Sequence, residues 1–359
     1  MHSIAAHLAR KSDNFLLLRI IAALMVIYGH SFPLTRDIGA SEIFLAHGWR
    51  IYSGDIAVDL FFVISGFMVS GSFLSRGSLG EYLTARLLRI VPAYAFILLA
   101  CAFVIGPLLT TLSTSAYFSH PETLAYVAKN LRFSSDMAWT LPGVFQDHRM
   151  ATVNGALWTL PAEMRMYMLV AVMGVFGLLG NRVFGLVAVI ALFLAGLLDP
   201  QLLPVHTDWV RLGGFFCLGI LAQLYKDRIH IRHDAMLVLV ALTYVSYNTH
   251  SYPWLLSLSI SYFAFWFAYR TPVAPLQKFG DPSYGIYLWG WPAQQLVISM
   301  FPAVTPLLNF LLAAIIAVVM GYASWYLIER PALSQKERVH RLGQHPLITR
   351  TFSRLGAKP

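Results

Sequence analysis

Ten apolar stretches recur along the 359 residues, at roughly 15–34, 56–75, 91–112, 157–178, 183–198, 209–225, 235–249, 252–269, 284–302 and 304–327. A chain of this kind has few ways to fold. Runs of about twenty apolar residues match the thickness of a bilayer's hydrocarbon core. Inside lipid, backbone polar groups must be satisfied within the segment, which favours helices. Charged residues make up only 12% of the chain, against ~25% for soluble proteins. The expectation is an all-α polytopic membrane protein, a bundle of about ten transmembrane helices over 1–333, followed by a basic cytoplasmic tail over 334–359. The stretches 235–249 and 252–269 lie close together around Tyr252-Pro253 and also read as one broken segment. The first stretch contains Arg19 and has no small-residue cleavage site after it, so it reads as a retained span rather than a signal peptide.

Lysines and arginines set the orientation. With the N-terminus placed inside, 18 fall in inner segments and 5 in outer ones, and Arg19, Arg165 and Arg211 lie within spans. The positive-inside rule therefore places both termini in the cytoplasm. The net charge of +9 becomes mostly a property of the inner face and calls for no nucleic acid. The lipid bilayer is the implied surroundings, and the two cysteines, Cys101 and Cys217, read as small buried hydrophobes.

Within the first span, Arg19 and His30 are eleven residues apart. At ~100° per residue they share one face, roughly 16 Å apart along the axis. Ala22, Ala23 and Val26 lie between them on that face. An ionisable group at bilayer depth costs at least ~2.5–3.5 kcal/mol, so both residues are functional candidates. Each also has a plainer reading: Arg19 snorkelling to the inner headgroups, and His30 capping the outer end.

Other motifs carry candidate chemistry. Asp55 and Asp59 share a helical face at the start of the second span, followed by the small residues Ser65, Gly66, Ser70 and Gly71, which suit tight helix packing. Arg86 and Arg89 lie three apart in the inner segment before Pro92, where two guanidinium forks would clamp a phosphate or diphosphate; ordinary inside-positive bias is the plainer account. Pro161 predicts an irregular start to the fourth span, with Glu163 and Arg165 just after it and pointing apart. Asp281-Pro282 reads as a helix start for the ninth span, which carries Gln294 and Gln295 to mid-depth, where both amides need partners. The outer stretch 113–156 is too short for a second catalytic domain and long enough for a lid or acceptor platform. There is no phosphate-binding glycine loop, no Gly-x-Ser-x-Gly elbow, no acid five residues after His30, and no histidine or cysteine pair at metal-ligand spacing, so no metal is expected.

Taken in order, these motifs resemble the type-3 acyltransferases of bacterial inner membranes, over Arg19 to Pro331. Arg19 with His30 is similar to that family's Arg-x10-His signature. Asp59 to Phe67 resembles its second-helix motif, and Arg86 with Arg89 its Arg-x-x-Arg pair. Trp158 to Glu163 resembles its Trp-Ser/Thr-Leu-x-x-Glu segment, Ser283 to Trp289 its late Ser-Tyr-x-x-Tyr motif, and Glu329-Arg330-Pro331 the exit of its last helix. One position departs: many relatives carry a histidine before the late Trp-Pro, where this chain has Gly290.

The resemblance implies transfer of an acyl group, most simply acetyl, from cytoplasmic acetyl-CoA to a hydroxyl of a cell-envelope or exported carbohydrate or glycolipid, at the bacterial cytoplasmic (inner) membrane. In that reading His30 is the base, with Glu163 or Asp59 as its orienter. Arg86 and Arg89 grip the phosphates of the donor, and Arg19 meets either phosphate or the polarised carbonyl. Two other classes fit parts of the sequence. A secondary transporter or flippase for a lipid-linked sugar would use the buried charges and broken helices, though no repeat relates the two halves. A non-catalytic scaffold would leave His30, Glu163 and Arg165 without purpose. Consumption of acetyl-CoA by purified protein belongs only to the enzyme.

Overall fold

The computed structural model describes residues 2–10, 12–37, 39–76, 78–198 and 207–336. Among these the regular structure is all helical, with no strand beyond one isolated bridge between Ser3 and His230. Most of the tail expected over 334–359 lies outside the described residues, as does the link at 199–206.

Ten long helices stand at the predicted positions. They are α1 (Phe15–Leu34), α2 (Ser53–Arg76), α3 (Leu79–Ala100), α4 (Leu160–Val175), α5 (Arg182–Leu198), α6 (Thr207–Leu224), α7 (His233–Val245), α8 (Tyr252–Arg270), α9 (Ser283–Met300) and α10 (Pro306–Ser324). α3 and α10 continue through π-helical turns, at Cys101–Ile105 and Trp325–Glu329, into short final turns. Four of the ten are long and apolar enough to cross a membrane: Phe15–Leu34, Ser53–Ser75, Leu79–Leu109 and Pro306–Ser334. The protein is thus an all-helical membrane protein, and ten crossings go beyond what its helix lengths establish. α7 has 13 residues, or about 20 Å at 1.5 Å per residue, short of a ~30 Å core. The segments 235–249 and 252–269 are two helices, joined by a bond between the hydroxyls of Thr243 and Ser259 at 2.7 Å.

One start was misplaced from sequence. The third span was expected at 91, with Arg86 and Arg89 in the segment before Pro92, but α3 begins at Leu79 and runs through Pro92. Ser78 caps it by accepting from the Glu81 amide. Pro92 removes one hydrogen bond without ending the helix, because a buried flank holds the backbone: Ile90, Ala93, Tyr94 and Ile97 are all in the core.

The centre of the bundle is α1 against α2 and α9, with α6 behind α2 and α10 behind α9. The small residues decide how close these helices come. A methyl group built on Gly66 would lie 2.0 Å from the Phe216 carbonyl oxygen, and one on Gly219 would lie 2.2 Å from that of Val63. The backbones of α2 and α6 therefore touch, as the small-residue stripe predicted. The shared face of α1 is packed in the same way. Ala22, Ala23 and Val26, which lie between Arg19 and His30 on that face, are at most 2% exposed.

The start of α4 is irregular, as Pro161 implied. A 3-10 turn over Gly155–Thr159 precedes it, capped by Asn154, whose side chain accepts from the Ala156 amide and donates to the Leu288 carbonyl of α9. Tyr287 completes the seam, with its hydroxyl 2.7 Å from both Thr159 Oγ1 and the Ala156 carbonyl oxygen. These bonds set the first turn of α4, and with it Glu163, level with the second turn of α9, inside the bundle.

Candidate active site

At one end of the bundle four charged side chains from four segments meet. Arg19 of α1 and Arg89 of α3 share a single oxygen, Oδ2 of Asp281, at 2.9 and 2.6 Å. The other nitrogen of Arg89 reaches Glu329 Oε2 at 3.1 Å. Asp281 holds Ser283 with its second oxygen, 2.6 Å from the hydroxyl, and so ties the start of α9 into the network. Ser324 donates to the other oxygen of Glu329. Burial by itself would raise the Asp281 carboxyl; Arg19 and Arg89 overcome it and hold that carboxyl well below the usual carboxylate range.

This network walls a cleft of about 130 Å³. The cleft is lined by Arg19, Arg86, Arg89, Glu163, Tyr167 and Tyr284, together with Ser65, Thr159, Tyr287 and apolar side chains of α2. Glu163 sits there without a salt bridge among the described residues, its Oε1 accepting from the Tyr167 hydroxyl at 2.5 Å. Arg86 lies over the Tyr167 ring, 5.7 Å from its centroid. Among the described residues, two buried guanidinium donors on the side chains that line this cleft lack a partner: Nε of Arg19 and Nε of Arg86. Orphaned guanidinium N–H groups are costly where water is scarce, so they mark a place for an oxygen-rich or anionic group.

The arrangement separates the two arginines that the sequence treated alike. Arg89 has both terminal nitrogens on carboxylates and acts as a strut among α3, α9 and α10. Arg86 also lines the cleft but is in no salt bridge among the described residues, and its buried Nε has no hydrogen-bond partner there.

His30 is not part of the cleft wall. It stands about one helical turn beyond Tyr287, with its ring edge-on to Trp291 at a centroid distance of 4.9 Å. Neither expected orienter is its partner. Glu163 bonds Tyr167, and Asp59 puts both oxygens on Arg211 Nη1 at 2.7 and 2.8 Å. Arg211 also reaches Asp55 at 2.9 Å, which accounts for the buried Asp59. Arg165 donates to the carbonyls of Phe133 and Pro161 and stacks on Trp209, so it makes no ion pair with Glu163. The surroundings of His30 are built by the outer loop. Trp291 donates to the Thr152 carbonyl; Gln295 donates to those of Met150 and Thr152 and bonds His148 at 2.8 Å. Gln294 donates to the Ile27 carbonyl and the Ser31 hydroxyl of α1. Gln295 thus has partners at both ends of its amide, whereas Gln294 has its nitrogen satisfied and its Oε1 buried without a partner among the described residues.

Gly290 has a steric reason. A Cβ there would lie 2.6 Å from Cγ1 of Ile27, so α9 and α1 are too close for any side chain. Gly290→Ala is expected to destabilise the protein by about 1–3 kcal/mol, the usual cost of overpacking. Thermal unfolding in detergent measures it, and Ile27→Ala in the same chain should restore much of the loss. An unchanged midpoint in the single variant would show that the two helices can part freely.

Several of these residues were missed as site members by the sequence reading. Asp281 was read only as a helix start, Glu329 only as part of an exit motif, and Tyr167 not at all. An arginine within a span is the available signal: Arg19 and Arg211 each had to have a carboxylate partner, though not a nameable one.

Comparison with known proteins places this geometry. The fold and the charged cleft define a helical membrane protein with a polar site inside the bundle. The sequence profile of the type-3 acyltransferases, described as an acyltransferase domain, matches residues 13–330, and the chain belongs to that family. Two curated relatives match over nearly their whole length. The O-acetyl transferase of Shigella phage Sf6 is 27% identical over 346 residues, covering 90% of this chain and 97% of the relative. Nodulation protein 10 of Rhizobium leguminosarum bv. viciae is 25% identical over 377 residues, covering 91% and 95%. No solved structure matches the chain.

Proposed function

We propose that this membrane acyltransferase moves an acetyl group from acetyl-CoA to a hydroxyl of an envelope or exported carbohydrate. The observation that carries the donor half is one cleft at the arginine-rich end of the bundle, lined by Arg19 and Arg86, whose buried Nε groups have no hydrogen-bond partner among the described residues. A cleft of about 130 Å³ is smaller than the ~300–1,000 Å³ of a pocket for a whole drug-sized ligand. It suits the acyl-pantetheine end of the donor, with the nucleotide outside. Arg86 and Arg19 meet phosphate oxygens of the donor, and its acyl end extends from them toward His30, roughly 16 Å further along α1. Arg89 keeps Arg19 in place through Asp281.

The acceptor hydroxyl loses its proton to His30 as its oxygen attacks the thioester carbonyl. The C–S bond breaks, the acetyl ester forms, and the thiolate of CoA leaves and is protonated. The lysine and arginine bias supports a topology with the arginine end and both termini in the cytoplasm, the side on which acetyl-CoA is supplied in a bacterial inner membrane. Chemistry then occurs between the donor end and the opposite surface.

Release of CoA from acetyl-CoA by purified protein in vesicles, with transfer of labelled acetyl to deacetylated envelope carbohydrate, tests this. Reporter fusions after Lys278 and after Asp136 test the orientation and should read inside and outside. Purified protein that neither releases CoA nor labels carbohydrate would remove the proposal.

A further inference from the structure

At the end of the bundle opposite the arginine cleft lies a second, open cavity of about 550 Å³. Arg50, Asp55, Arg211, Thr249, His250 and Tyr252 are among its walls, with Asp208 at the start of α6. Its volume falls within the ~300–1,000 Å³ of small-molecule sites.

Three features say what would bind there. The first is charge. Two guanidiniums, Arg50 and Arg211, face two carboxylates, Asp55 and Asp208, so the lining has little net charge to attract a strong anion or cation. Arg211 is held in a fixed pose by Asp55 at 2.9 Å and Asp59 at 2.7 Å, so its fork is pre-organised. The second is the mixture of rings and polar groups. Tyr252 packs edge-on to Tyr247 at 5.1 Å, and Arg50 lies over the Tyr247 ring. Tyr247 is itself pinned by its hydroxyl to the Gly48 carbonyl. Donors, acceptors and an aromatic edge in one cavity suit a neutral polyhydroxyl ligand, whose hydroxyls both give and take hydrogen bonds. The third is an unmet need. Tyr252 is 94% buried and lines the cavity, and its buried hydroxyl has no hydrogen-bond partner among the described residues.

One side chain, that of Tyr52, stands between the cavity wall and the helical turn that carries His30. Tyr52 accepts from the Asp55 amide through its carbonyl, and its ring lies against Gly29, the residue before His30. A methyl group on Gly29 would lie 2.8 Å from that ring.

We propose that this cavity is the acceptor site, binding a sugar unit of the carbohydrate with Tyr252, His250 and Arg50 and presenting the chain's hydroxyl toward His30. The assignment rests on the acyl-transfer reading above. The two clefts then lie at opposite ends of the bundle, donor on one side and acceptor on the other, with His30 between.

Tyr252→Phe, His250→Ala and Arg50→Ala test it in purified protein in vesicles. The probes are acetyl-CoA and alkali-deacetylated envelope carbohydrate from the cells that express the chain. The Michaelis constant for the carbohydrate should rise about 5- to 12-fold in Tyr252→Phe, the fold-change of a lost hydrogen bond of ~1–1.5 kcal/mol. The dissociation constant for acetyl-CoA, read by calorimetry, should stay within a factor of two, which also shows that the variants are folded. A second arm uses Thr249→Cys, whose labelling by a charged thiol reagent should be slowed by the carbohydrate and not by acetyl-CoA. Equal carbohydrate constants in wild type and all three variants overturn the site while leaving the acyltransferase reading intact. Protection by acetyl-CoA instead gives the cavity to the donor and also overturns it. Wild-type protein without any transfer removes both.

Discussion

His30→Gln is expected to lower acetyl transfer to about a hundredth or less of wild type, with normal membrane insertion. General-base catalysis contributes ~10²–10⁴-fold, and an amide cannot take the hydroxyl proton. The position makes the contrast clean. His30 is half-buried, and its ring contact is the edge of Trp291, so glutamine fits the space and can still hydrogen bond. A merely structural cap would therefore survive the change, whereas a base would not. Acetyl transfer to carbohydrate by equal amounts of purified protein gives the answer. Near wild-type turnover in His30→Gln would sink the assignment and move the search for a base to Glu163, the cleft carboxylate without a salt bridge among the described residues.

The two arginines of α3 are expected to fail in different ways. Arg89→Ala strips a partner from Glu329, which is 1% exposed, and from Asp281. Breaking a buried pair by removing one partner costs about 3–5 kcal/mol, because the remaining charge stays buried. The folded fraction surviving detergent extraction should collapse, and Arg89→Lys should rescue only part of it, since one ammonium cannot span two carboxylates with a planar fork. Arg86→Ala breaks no ion pair among the described residues; its guanidinium lies over Tyr167 with Nε free. Its abundance should be near normal while the Michaelis constant for acetyl-CoA rises 10-fold or more, the loss of one charge-assisted contact of ~1.5–3 kcal/mol. Size-exclusion yield and donor kinetics read the two effects separately. If both variants lose yield equally, Arg86 is also a strut and the donor assignment loses its main support. If both keep their yield and only donor kinetics change, the network around Asp281 is not holding the helices together.

The helices and the family were legible in the sequence. Hydropathy and the 3.6-residue period are local properties, so the positions of the ten long helices, the tight contact at Gly66 and the irregular turn before Pro161 followed from neighbouring residues alone. So did the pairing of Arg86 with Arg89 on one face. The length of α3 was read wrongly, because a proline is a local signal and the buried flank that overrides it is not. The partners of the charged groups were decided only by the tertiary structure. Arg89 and Glu329 are 240 residues apart, and Arg211 and Asp59 are 152 apart. Nothing in either local sequence says which helix will stand beside which, and a guanidinium's role turns on that choice: a carboxylate within 3 Å makes it a strut, and an empty cleft makes it a binding group. The same holds for Gly290, a bare departure from a motif in sequence, which in the folded chain is the point where α9 meets Ile27 too closely for a side chain.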